Sequence, residues 1–233
     1  MGYIEVVFDI AYLITVITLG IRMIAGCSAA GGNREKAAEY RLFGIMAVVL
    51  GAGDAFHLVP RVIAQCTTGM ADYTAALGIG KFVTSITMTI FYILLYYVWR
   101  RRYQVSGRTG VSAAVWILAG LRILLCLFPQ NAWTSADAPL SWGIYRNIPF
   151  ALLGLLIVIL YYRSTREQKD PAFRNMWLAI TVSFACYIPV VLFADRIPLI
   201  GALMMPKTCA YVWAVAIGYR DMKKKNTNME EKK

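Results

Sequence analysis

The chain has 233 residues, 59% of them hydrophobic and only 16% charged, with a formal net charge of +11. A soluble domain carries about 25% charged residues, so this composition excludes an ordinary water-soluble fold and points to lipid as the solvent. A single histidine excludes a histidine-rich metal site, and five scattered cysteines, Cys27, Cys66, Cys126, Cys186 and Cys209, make neither a disulfide framework nor a zinc motif.

A spanning helix takes about 20 mostly apolar residues, since the hydrocarbon core is about 30 Å thick and a helix rises about 1.5 Å per residue. Seven stretches qualify: 4–25, 42–63, 74–99, 111–128, 141–162, 176–194 and 197–219. Backbone amides find no water in lipid, and runs this continuous are not the alternating pattern of a barrel, so all seven are expected to be helices. The expected fold is an all-α integral membrane bundle of seven transmembrane helices, one domain over 1–220. A charged tail, 221–233, is expected to be disordered.

The first run opens with Glu5 and Asp9 and lacks the basic n-region of a cleavable signal, which suits an N-terminus outside. The connection that follows, 26–41, is rich in Gly and Ala and then charged. Taken alternately, the connections on one side and the tail hold 17 of the 24 basic residues, and those on the other side hold only Arg196. This positive-inside pattern predicts a cytoplasmic C-terminus and a multi-pass protein of the cell (plasma) membrane. It also absorbs the net charge as a topology signal, leaving no need for a nucleic-acid partner. Membrane lipids are the expected surroundings, and a separate cytoplasmic protein would have to carry any signal.

The second run reads GDAFHLVPR. Asp54, His57 and Arg61 are spaced three and four apart and share a helix face. They can form a structural clamp between helices, a ligand site, or a proton-handling chain in which Asp54 orients His57. Gly44, Gly51, Gly53 and Ala55 in the same run predict close helix packing, as do Gly120 and Gly154 further on.

The third run carries Lys81, then Thr84, Ser85, Met88 and Tyr92 on one face; the fourth carries Arg122 with Cys126 one turn away. Cys66 and Cys126 both fall near the outer face, where a bridge is one option. The fifth opens WGIYRNIP, placing Arg146 at the outer rim. Aromatics at helix ends, among them Tyr96, Trp99, Trp133 and Tyr161, are expected as interfacial anchors. The sixth and seventh runs contain Pro189 and Pro206, each expected to kink its helix.

The seventh run reads MMPKTCAYVW, with Tyr211 one turn from Lys207. Counted along the helices, Lys81 and Arg122 sit roughly 9–10 Å below the outer surface, and Asp54 and Lys207 roughly 14–15 Å. A charge at the bilayer centre costs about 2.5–3.5 kcal/mol, so these residues should face the bundle interior. Cations outnumber acids in this outer half. The leading expectation is therefore an outward-facing basic cavity that binds an anionic small molecule or lipid headgroup, as a transporter or sensor. Lys81, Arg122 and Lys207 would form its clamp, His57 with Asp54 its protonation control, and Arg61 and Arg146 its mouth.

Two resemblances supply alternatives. TVSFACYIPVVLFAD is similar to the sixth helix of microbial rhodopsins, and Lys207 stands where those proteins form a retinal Schiff base. The resemblance implies retinal on Lys207, with Asp54 as counter-ion because the third helix offers Lys81 instead of a carboxylate. The GD of the second run and the Gly-rich third run resemble the lysoplasmalogenase-like membrane hydrolases. That resemblance implies lipid hydrolysis with His57 as base and Asp54 orienting it, although a later acid and a third-helix histidine are missing.

Overall fold

The computed structural model describes residues 2–27, 34–194 and 196–230. Every regular element among them is helical. In chain order they are α1 (Gly2–Gly26), α2 (Arg34–Cys66), α3 (Thr74–Arg102), α4 (Thr109–Leu127), α5 (Leu140–Glu167), α6 (Met176–Phe193) and α7 (Met204–Glu230). Short 3-10 turns at Met70–Tyr73, Pro129–Asn131 and Pro198–Leu203 precede α3, α5 and α7. All seven helices are long and apolar enough to cross a membrane.

Successive helices pack against one another, and α7 closes the ring against α1 and α2, while α3 also reaches α5. Outward faces are apolar. Ile4, Val7, Ile10, Ile14 and Ile21 on α1, and Ile148, Leu152, Leu155 and Ile159 on α5, are all exposed. Stripes of this kind at helical spacing are what a hydrocarbon solvent requires and what a monomer in water avoids.

The helices overrun the apolar stretches at one end of the bundle. α2 begins at Arg34, two turns before Leu42, and α3 continues to Arg102. The charged segment after residue 220, expected as a disordered tail, instead prolongs α7 to Glu230. The cause is an ionic hub that short apolar runs do not reveal. Arg102, on α3, donates through Nε and Nη2 to both oxygens of Asp170 at 2.7 and 2.9 Å. Its Nη1 meets Glu39 of α2 at 3.0 Å and Asp221 of α7 at 2.5 Å, and its guanidinium lies 3.9 Å from the Phe173 ring. Tyr40 donates to Asp221 at 2.8 Å and Tyr103 to Asp170 at 3.2 Å. Glu39 is 2% exposed and Asp221 8%. Four chain segments thus converge on one guanidinium.

Several finer expectations change. Pro206 falls in the first turn of α7, where its missing N–H has no helical partner to lose, so it makes no interior kink. Pro189 does lie inside α6, and Pro60 and Pro149 lie inside α2 and α5. Tyr96, Trp99 and Tyr161 are buried, not interfacial, because each polar tip has an internal partner: Ser112, Ser164 and the Leu95 carbonyl. Cys66 and Cys126 are both free. Gly120 faces open space, but Gly44 meets Gly20 so closely that a Cβ on either would lie within 3 Å of the other's carbonyl. Gly80, on α3, packs directly against the α2 backbone at Phe56 and His57.

Candidate functional site

At the end of the bundle opposite Arg102, α1, α2, α6 and α7 bring polar side chains together. Lys207 stands in the first turn of α7 and is 8% exposed. Its Nζ lies 5.0 Å from the centroid of Tyr187 on α6 and 5.4 Å from that of Tyr211 one turn on. Its charge acts on Asp54 of α2. Among the described residues, no carboxylate oxygen comes within 4.0 Å of that ammonium.

Asp54 is engaged from another side: Tyr12 of α1 donates to its Oδ2 at 2.5 Å. The chain from Asp54 through His57 to Arg61 is therefore not formed. His57 Nδ1 is buried and unpartnered, and Arg61 donates to Glu5 of α1 at 2.9 Å, with Gln65 on the same carboxylate oxygen at 2.7 Å. A shared face fixes which residues are neighbours along one helix, but the partners come from α1, whose Glu5 was read only for topology. The Glu5–Arg61 pair is about one quarter exposed, so it contributes on the order of 0–1 kcal/mol.

Unmet hydrogen bonding gathers here. Asp9 Oδ2, His57 Nδ1, Arg61 Nε and Gln65 Oε1 are all buried without a partner among the described residues. Asp9 itself is 7% exposed and feels Arg61, Glu5 and Asp54. An orphaned buried polar atom costs about 1–3 kcal/mol. Four in one neighbourhood call for water or a polar guest.

The three cations expected as a clamp occupy three different settings. Lys81 is exposed, close enough to His57 to act on it. Arg122 is 2% exposed and is satisfied by neutral groups: its Nη1 donates to the Arg146 carbonyl at 2.9 Å and to Asn147 Oδ1 at 2.8 Å, and the guanidinium covers the Phe150 ring at 3.9 Å. Arg146 donates to Asn131 at 2.8 Å and lies over Trp133 at 4.3 Å, bracing the turn between α4 and α5. Only Lys207 joins Asp54 in the interior.

Tyr187 links the two groups of residues. Its hydroxyl donates to Asn147 Oδ1 at 2.9 Å, the oxygen that Arg122 also uses, while its ring flanks Lys207. Between them Phe91, Tyr92, Phe150, Phe184 and Tyr211 pack ring against ring, at centroid separations of 5.1 to 5.6 Å. The sequence placed Asn147 near the outer rim and Tyr187 in the sixth helix and passed over Tyr12, but it gave no partner for any of them, because a tyrosine or asparagine in an apolar run gives no sign of its cross-helix partner. Comparison with protein-family models, curated proteins and solved structures finds no match.

Proposed function

We propose that the protein is a multi-pass protein of the plasma membrane that binds a small anionic molecule or lipid headgroup through Lys207, as a transporter or sensor. The observation that carries this reading is a buried ammonium with no carboxylate in ion-pair contact among the described residues, close enough to act on His57, whose Nδ1 is orphaned. An anionic oxygen would accept from the Lys207 ammonium, and the polar remainder of the ligand would meet His57 and Asp9. Lys81 and Arg61 would add positive potential at the approach. Arg122 and Arg146 belong to the framework in this reading, which narrows the clamp to one deep cation. The basic residues collected at the Arg102 end support a cytoplasmic C-terminus by the positive-inside rule, so the site would face outward.

Two other readings have less support. A hydrolase needs Asp54 to orient His57, and Tyr12 occupies Asp54 instead. Retinal on Lys207 would have Asp54 nearby as counter-ion, but the ring cluster from Tyr211 to Phe150 fills the interior that a polyene would need, so the residues present do not fit that cofactor.

The test is ligand-dependent thermal stabilisation of the purified full chain across a panel of organic anions and phosphate-bearing headgroups, repeated with Lys207→Met. A hit that raises the midpoint of the native protein and loses at least tenfold in affinity in the variant supports the site. A hit that binds Lys207→Met equally well refutes it.

A further inference from the structure

At the Arg102 end, on the face between α4 and α5, lies a cavity of about 210 Å³, apart from the Lys207 site and with Ser164, the partner of Trp99, on its wall. Arg108, Arg163 and Glu167 line its polar side, and Val111, Leu156 and Leu160 its apolar side. Both arginines are exposed, and neither is ion-paired among the described residues. With Glu167 counted, the lining keeps a net positive charge of one.

The arginine nearest α4 is held in place at some expense. Arg108 has φ 51° and ψ 45°, the left-handed region, where a side chain other than Gly, Asn or Asp costs roughly 1–2 kcal/mol. Arg100 braces the loop that leads to it, donating to the carbonyls of Val105 and Gly107 and to the Ser112 hydroxyl. Arg108 is also the N-cap of α4, a 19-residue helix with no side-chain cap, so the positive end of that helix points the same way. Arg108 also lies 6.0 Å from the Trp99 ring, so its guanidinium is held by an uncharged neighbour, and with Arg163 it gives the cavity two cations without a carboxylate in ion-pair contact among the described residues. Below the cavity the wall runs straight into the exposed apolar stripe of α5, Ile159, Leu155 and Leu152.

We propose that this cavity holds the phosphate of an anionic lipid headgroup, with Arg108 and Arg163 on the phosphate oxygens and an acyl chain along the α5 stripe. The shared chemistry is a phosphate anion; the apolar wall that continues from the cavity assigns the lipid, not free phosphate, as its source. This site is separate from Lys207, and the failure of either leaves the other standing.

The experiment uses the full chain in nanodiscs of phosphatidylcholine doped with phosphatidylglycerol, with native mass spectrometry counting the phosphatidylglycerol retained after detergent release. Each arginine removed should lower retention about 5-fold, and the pair about 30-fold, from the surface electrostatic contribution of one basic residue. Three variants are compared: Arg108→Gly, Arg163→Gln, and Arg166→Gln as an exposed control that stacks on Tyr162, outside the cavity. Arg108→Gly relieves the left-handed strain, so its melting midpoint should be unchanged or higher while its lipid is lost. Unchanged retention in Arg108→Gly combined with Arg163→Gln overturns the proposal. So does equal loss in Arg166→Gln. A final arm adds inorganic phosphate or glycerol phosphate. Displacement of the lipid by either at comparable concentration overturns the assignment to a lipid; resistance to both supports it.

Discussion

Replacing Arg102 by Met should be the most damaging single change at the polar hub. The variant keeps the apolar stem of the side chain but loses the guanidinium and its stacking on Phe173, and it leaves Glu39, Asp170 and Asp221 facing one another without their shared cation. Breaking a buried ion pair from one side costs about 3–5 kcal/mol. For a chain of this length that lowers the melting midpoint by roughly 6–20 °C. Tryptophan fluorescence of the detergent-solubilised protein reads it directly, since the chain holds six Trp. The defect also has a pH signature. Burial pushes the Asp170 carboxyl up, but the hydrogen bonds and charge of Arg102, with the Phe173 amide and the Tyr103 hydroxyl, hold it below its ordinary value. Its stabilisation is therefore present above the unfolded value of about 3.9 and is lost as pH falls through the folded one. In Arg102→Met the stranded carboxylates gain by taking up protons, so the gap between native and variant midpoints should be widest near neutrality, should begin to narrow above the unfolded value of about 3.9, and should be smallest once pH falls below the native Asp170 value. Adding Glu39→Gln, Asp170→Asn and Asp221→Asn to Arg102→Met should recover part of the loss. A midpoint within about 1 °C of the native protein at pH 7 would refute the account of the hub.

Arg122→Met should behave differently: no carboxylate is left behind, only neutral acceptors, the Arg146 carbonyl and an oxygen of Asn147 that keeps Tyr187, so the loss should be about 1–2 kcal/mol in thermal unfolding. Tyr12→Phe removes the donor on Asp54 and should cost about 1–3 kcal/mol in thermal unfolding; a midpoint equal to the native one would contradict the role given to this contact. Gly80→Ala places a methyl against the Phe56 carbonyl and 2.7 Å from the His57 Cα, forcing α2 and α3 apart at a cost of about 1–3 kcal/mol; a variant as stable as the native chain would contradict the packing. Cys66 is exposed at the end opposite Arg102, so a membrane-impermeant thiol reagent applied to intact cells should label it, with Cys66→Ser as control; labelling only after lysis would reverse the proposed orientation.

The helices were legible in the sequence because lipid makes a demand that composition alone can meet: about 20 apolar residues in a row, seven times over. Their ends were not, because α2, α3 and α7 extend beyond the apolar stretch only where Glu39, Arg102 and Asp221 find each other, and those three positions are separated by 63 and 119 residues from hub to partner. The same limit applies to the candidate site. The spacing of Asp54, His57 and Arg61 correctly put them on one helix, yet none pairs with another: Asp54 takes Tyr12, Arg61 takes Glu5, and His57 has the Leu77 backbone beside an unpartnered Nδ1. Lys207 stood out because a lysine in an apolar run is anomalous on its own. Arg122 stood out for the same reason but proved to be served by a carbonyl, an amide and a ring, acceptors that no charge count includes.

The guanidinium of Arg102 also carries information about the order of synthesis. It is made long before Asp170, and Asp170 before Asp221, so its valences fill one at a time as later segments arrive. Until the final helix is in place the centre is short of a ligand, and a chain cut before residue 221 can never complete it. The last of its ion pairs therefore closes only when the seventh helix docks, which makes this centre a late step in assembling the bundle.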